Sequence, residues 1–106
     1  MPEALIVLCT CGNRAEAARV ARALVEEHLA ACVNILPEIA SIYRWQGKVE
    51  EANEVLLLAK TTRQRFPDLR DRITELHTYG TPEIIAIAVT AGSEKYLGWL
   101  EQQVAG

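Results

Sequence analysis

Positive charge is in short supply along this chain: 11 Lys and Arg stand against 14 Asp and Glu, for a formal net charge of −3. Nucleic-acid binders rely on clustered cations that displace phosphate counterions. Here the basic residues are scattered, and even the fullest run, Arg63 to Arg72, is interrupted by Asp68 and Asp71. No nucleic-acid partner is expected. Long apolar runs are also missing, with none near the ~20 residues that cross a bilayer, so no membrane partner is expected either. No basic segment precedes the first apolar run in the manner of a secretory signal. Cysteine is limited to three residues, an odd count without the spacing of a disulfide framework. Free thiols and cytoplasmic residence are the expectation.

Catalytic signatures are absent too. The only serines are Ser41 and Ser93, and neither lies in a G-x-S-x-G elbow. Gly12-Asn13-Arg14 makes neither a phosphate-cradling loop nor a dinucleotide fingerprint. No C-x-x-C or Cys/His finger spacing supports a closed tetrahedral zinc site. The chain reads as a non-enzyme.

What is present is core-forming material. Half of the 106 residues are apolar, which fits one folded domain over residues 1–106. A chain this short gains burial from subunit contacts. Ala4 to Thr10 is a continuous apolar run suited to a central strand covered on both faces. Asn13 and Glu16 have capping-box spacing, and from Ala15 to Leu29 apolar residues recur at helical intervals. His28 falls on that apolar arc near the helix's C-terminus, as a packed ring favoured by the helix dipole. A long second strand follows, kinked or bulged at Pro37. Gln46-Gly47 turns the chain into a third strand, Val49 to Thr61, acidic near the tip at Glu50, Glu51 and Glu54 as a solubility device for an edge. A second helix carries Phe66, Leu69, Ile73 and Leu76 on one stripe, with Pro67 in its first turn. A fourth strand runs Ile84 to Thr90. Gly92-Ser93 caps a last helix with Tyr96, Leu97 and Leu100 facing inward.

This order is α+β, the βαββαβ arrangement of ferredoxin-like domains, with an added C-terminal helix and a long β-hairpin. One sheet face is left bare, and self-association is the expected cover. The second strand adds to that expectation. Its odd positions Ile39, Ser41, Tyr43 and Trp45 share a face, and two large rings at the tip of an overhanging ribbon find burial only on another copy of the chain.

Several side chains carry possible chemistry. Cys9 and Cys11 lie two apart on the first strand and point the same way; they are either small buried hydrophobes or thiols made accessible by the following loop. Cys32, on the second strand, comes near them only if the two strands pair. His77 ends the second helix as a C-terminal cap, or as an imidazole beside a thiol suited to copper or a similar soft divalent metal. Tyr43, Arg44 and Trp45 fit two roles, as interface anchors or as the lining of a cleft for an anionic or aromatic ligand.

The run Leu29-Ala30-Ala31-Cys32-Val33-Asn34-Ile35, then Ser41-Ile42-Tyr43-Arg44-Trp45-Gln46-Gly47-Lys48, resembles the CutA divalent-cation tolerance family. So do Glu54-Val55-Leu56-Leu57-Leu58 with Lys60-Thr61-Thr62, His77-x-Tyr79 with Thr81-Pro82-Glu83-Ile84-Ile85, and Tyr96-Leu97-x-Trp99-Leu100. The resemblance covers essentially the whole chain. It implies a ferredoxin-like subunit in a homotrimer, with hairpins wrapping neighbouring subunits as in the similar PII signalling proteins. It also implies tolerance of copper or another divalent cation. The ligands so implied are a first-strand cysteine, Cys9 here, and a histidine pair of which this chain keeps His77; Leu76 replaces the other, and Thr78 the proline after them. Cys11 is a possible additional ligand. The PII likeness implies an alternative, a small-molecule-binding signalling module with inter-subunit clefts lined by residues such as Arg44, Trp45, Lys60 and Glu83. A trimeric scaffold for a protein partner is a further one.

Overall fold

A single apolar strand forms the axis of the fold. The computed structural model describes residues 3–105; Met1, Pro2 and Gly106, at the ends of the expected 1–106 unit, lie outside the described residues. The axial strand β1 (Ala4–Cys11) lies between β3 (Lys48–Thr62) and β4 (Ile85–Ala88). With β2 (Cys32–Trp45) on the outer edge, the sheet is antiparallel throughout, in the order β2-β3-β1-β4. This is the expected α+β, ferredoxin-like topology.

Helices α1 (Arg14–Glu26) and α2 (Phe66–Leu76) cover one sheet face. Strand alternation aims Val7, Cys9, Cys11, Val55, Leu57 and Ala59 at them, and these pack with Ala17, Val20, Leu24, Leu69 and Ile73 in the main core. Each fully buried Leu or Ile in that layer contributes roughly 1.5–3 kcal/mol. Pro67 sits in the first turn of α2, where its missing N–H costs nothing.

The first helix stops earlier than its periodicity predicts. His28 has φ 60° and lies beyond the helix, with its N–H on Val25 O and the Leu29 N–H on Leu24 O. These are the two bonds of a Schellman stop, with an apolar contact between Leu29 and Leu24. Leu29 therefore keeps helical spacing without being helical. The expectation for His28 is corrected: its ring is exposed, and its Nδ1 lies 3.0 Å from Gln103 O instead of in a helical apolar arc.

The β2–β3 hairpin outruns the sheet. Pairing of β1 with β3 ends at Cys11–Val55, whereas β2 and β3 stay paired to Trp45–Lys48. The unsupported ribbon is about 20 Å long, and the longest dimension of the subunit is 44 Å. The register shifts between Leu36 and Ile39, a bulge that absorbs Pro37. Gln46 (φ 50°) and Gly47 (φ 81°) make the two-residue turn, both in the left-handed region that such hairpins require.

Two boundaries at the C-terminal side differ from expectation. β4 is shorter than Ile84 to Thr90 because Ile84 turns into the main core, while Val89 makes one last bond through its N–H to Ala4 O at 3.0 Å. Helix α3 (Glu94–Val104) begins at Ser93, whose Oγ accepts the Tyr96 N–H. Leu100 and Val104 pack on Ala4 and Ala31, so α3 covers one end of the sheet's second face. Tyr96 points outward instead of inward, beside Trp99 with ring centroids 5.5 Å apart. Elsewhere on that face Ile85 and Ile87 remain 53% and 54% exposed.

Candidate functional site

The C-terminal end of β1 gathers the chain's soft donors. Cys9 and Cys11, two apart, both face the helices, and α2 ends at His77 directly above them. The two sulfurs and an imidazole nitrogen lie within 4.8 Å of one another, all three residues buried. Cys32 is elsewhere: β3 separates its strand from β1, and it pairs with Lys60.

The imidazole is held from both sides. The Tyr79 N–H donates to Nδ1 at 3.0 Å, which requires Nδ1 to be unprotonated. Nε2 then carries the proton and donates to Thr10 O at 2.7 Å. His77 is thereby fixed as a neutral ring in one tautomer. The thiols have weaker ties, the single one among the described residues being Cys9 Sγ to Thr10 O at 3.8 Å. The adjoining Cys11 thiol and burial push the Cys9 thiol far above its ordinary range, and Glu83 and Glu16 push the same way. The adjoining Cys9 thiol draws Cys11 down against burial.

Two carboxylates complete this end of the molecule, and neither was recognisable as a site residue in the sequence. Glu16 is 4% exposed. Asn13 Oδ1 accepts its N–H at 2.8 Å, the first half of the capping box. Its carboxylate does not return to Asn13 but accepts the Gly12 N–H (3.3 Å) and the Thr78 N–H (3.0 Å), tying the start of α1 to the turn after α2. Burial raises its pKa, but the Thr78 and Gly12 donors outweigh this and hold it below the usual carboxylate range. Glu54 is buried as well, which corrects its reading as an edge solubility device. Its Oε2 accepts the Tyr79 hydroxyl at 2.9 Å. Burial and this carboxylate keep the Tyr79 phenol protonated well above its ordinary range. Tyr79 also leans on His77, ring centroids 4.7 Å apart, and a Cβ on Gly12 would meet its hydroxyl at 3.2 Å.

On the other side of Glu54 a cleft of about 590 Å³ opens where the ribbon leaves the sheet. Tyr43, Trp45 and Glu83 line it, with Glu54, Tyr79 and Thr10. Arg44 and Lys60 do not. Strand alternation sets Arg44 on the face opposite its two aromatic neighbours. Lys60 lies near the base of β3, about 20 Å along the strand from Glu54.

Two thiols and an imidazole form a soft donor set, the kind that selects copper or zinc over magnesium or calcium. Metal–ligand bonds of about 2.0–2.3 Å set three donors roughly 3.3–4.0 Å apart around one ion, so a cluster within 4.8 Å closes on such an ion by drawing its donors inward. The thiols fit directly. His77 fits only on giving up its bond to Tyr79 or to Thr10, at a net cost of about 1 kcal/mol.

Comparison with known proteins agrees along nearly the entire chain. The family model described as CutA1 divalent ion tolerance protein matches residues 5–103. The divalent-cation tolerance protein CutA of Thermus thermophilus is 52% identical over 97 residues, 92% of this chain and 94% of that protein. Human protein CutA is 47% identical over 93 residues, 88% of this chain; the chain spans 52% of that longer relative. The solved structure of the divalent cation tolerance protein (Cut A1) from Thermus thermophilus gives a TM-score of 0.93 at 50% identity, covering 94% of this chain and 97% of that one.

Proposed function

The chain belongs to the CutA1 divalent ion tolerance family, and from that membership we propose that it contributes to metal tolerance as a cytoplasmic homotrimer that binds, and does not catalyse. Copper or a similar divalent ion is the proposed cargo, with Cys9 and His77 as ligands and Cys11 as an additional one. The observation that carries this reading is the convergence of three soft donors within 4.8 Å at the end of β1. Thiolates bind such ions more readily than imidazole that is already hydrogen-bonded, so the sulfur pair is the entry to the site.

Trimer assembly is supported by what one subunit leaves uncovered: Ile85, Ile87, Tyr96 and Trp99 beside the sheet, and Ile42 and Val49 on the ribbon. Large exposed apolar patches mark interaction surfaces. Light scattering is expected to give three times the 11.7 kDa subunit mass; a stable single-chain particle sinks the assembly proposal.

Copper titration of the reduced protein, followed by native mass spectrometry, tests the ion. One equivalent per subunit is expected, with loss of affinity in Cys9→Ser and Cys11→Ser. Equal binding by wild type and both variants removes the ligand assignment. A second reading, a PII-like small-molecule module, is favoured by the cleft beside Glu54, which is open, sizeable and separate from the thiols.

A further inference from the structure

We propose that the cleft between the ribbon and the Thr78–Glu83 turn is a binding site for an organic cation, an ammonium group on a small apolar or hydroxylated frame. The inference deepens the small-molecule reading and rests on it; it is independent of the metal proposal. It also reverses the anionic ligand that the neighbouring Arg44 invited.

Charge comes first. Glu54 and Glu83 line the cleft, and among the described residues of this subunit no Lys, Arg or His lines it. An anion would meet two carboxylates with no cation in the lining to compensate them. Glu54 is more than nine-tenths buried and accepts the Tyr79 hydroxyl through Oε2. Its Oε1 has no hydrogen-bond donor among the described residues, and no polar side-chain atom there is both sealed and unpartnered, so this oxygen keeps access to the cleft. A largely buried acceptor without a protein donor gains by accepting a ligand N–H.

The aromatic wall then selects among cations. Tyr43, Trp45 and Tyr79 present rings to the same space. Ring faces attract alkylammonium and guanidinium groups, most strongly at tryptophan. Hard divalent ions gain nothing from rings and require six or more oxygen ligands in the case of calcium, or a strict octahedron in the case of magnesium. The volume of about 590 Å³ lies within the ~300–1,000 Å³ of small-molecule sites.

The test uses the full chain in its native assembly, titrated with choline and spermidine, and with citrate and benzoate as anionic controls, by calorimetry and thermal shift. Choline or spermidine is expected to bind and raise the melting temperature, with neither anion doing so. Glu83 is exposed on its turn, so Glu83→Gln leaves the fold intact and is expected to weaken cation binding about tenfold, the equivalent of ~1.4 kcal/mol. Trp45→Ala should weaken it similarly. Binding of citrate in preference to choline overturns the proposal, as does undiminished choline binding by both variants. Binding of magnesium or calcium that displaces choline also overturns it, since the site would then be a metal site. No binding of either cation removes this inference, and no binding of any of the four probes removes the small-molecule reading with it. Binding of an uncharged or anionic molecule at Trp45 alone would spare that reading and remove only the choice of charge.

Discussion

The two sides of the β1 terminus differ in how completely their polar atoms are occupied. On the helix side, His77 has both nitrogens engaged and each Glu16 oxygen accepts a backbone N–H. On the ribbon side, Glu54 has one oxygen taken and one open to the cleft. Thr10 belongs to both, giving its carbonyl to His77 and lining the cleft. The contrast separates two kinds of site. A ligand at the cluster must displace bonds that already hold the fold, whereas a ligand at the cleft meets an acceptor with capacity to spare. Metal binding should therefore break bonds that hold the fold, whereas cation binding in the cleft should leave them in place.

Glu16 offers the largest test of the occupied side. Glu16→Gln keeps the shape but can satisfy only one of the two N–H groups, turning its own NH2 against the other. Hydrogen bonds to a charged group are worth about 1.5–3 kcal/mol, so a loss of about 3 kcal/mol is expected in denaturant unfolding at fixed protein concentration. The pH dependence has a definite sign. Because the folded-state pKa is depressed below 4.5, the carboxylate's contribution is fully present above that value. It is lost as pH falls through the lower folded-state pKa, so the gap between wild type and variant should be flat near neutrality and close on acidification. A gap that persists unchanged to about pH 3, below the ordinary carboxylate range, would rule out this account of Glu16.

His77 is the next largest, and its variants separate support from ligation. His77→Ala is expected to cost about 2 kcal/mol by leaving the Thr10 carbonyl and the Tyr79 N–H unpaired. His77→Gln can restore the donor to Thr10 and should recover part of that loss. An amide is a poor ligand for a soft ion. If copper affinity falls in both variants, His77 ligates; if it falls in the alanine variant alone, the ring only braces the thiols. The readouts are unfolding midpoint and copper titration on the same samples.

How much of this was legible depended on whether the information was local. The unbroken run of β1, the bulge at Pro37 and the Gln46-Gly47 turn are written in neighbouring residues, and the structure has all three. The Cys9–Cys11 alignment follows from strand alternation alone. Glu54 was indistinguishable from Glu50 and Glu51 until the sheet register set it against Tyr79, residues far apart in the chain. Glu16 gave half its role through capping-box spacing, while its hold on Thr78 depends on how α1 and α2 pack. His28 misled because a Schellman stop places Leu29 back over Leu24 and imitates one more helical turn. Arg44 misled through sequence adjacency to Trp45, which in a strand means opposite faces.

Tyr79 joins the two sides and gives the smallest, most discriminating effect. Tyr79→Phe removes the hydroxyl from Glu54 while leaving the ring against His77 and the backbone N–H on Nδ1. The lost bond should cost about 1 kcal/mol of stability. It also strips the Glu54 carboxylate of its protein donor, so both oxygens become available in the cleft. Choline affinity is then expected to rise by a few-fold even as the protein becomes less stable, with copper affinity unchanged. A simple loosening of the fold would lower both affinities together. Opposite movement of stability and cation affinity, read by calorimetry on one preparation, would show that Glu54 is the acceptor that the cleft holds open, and that the sealed cluster behind it is a separate device.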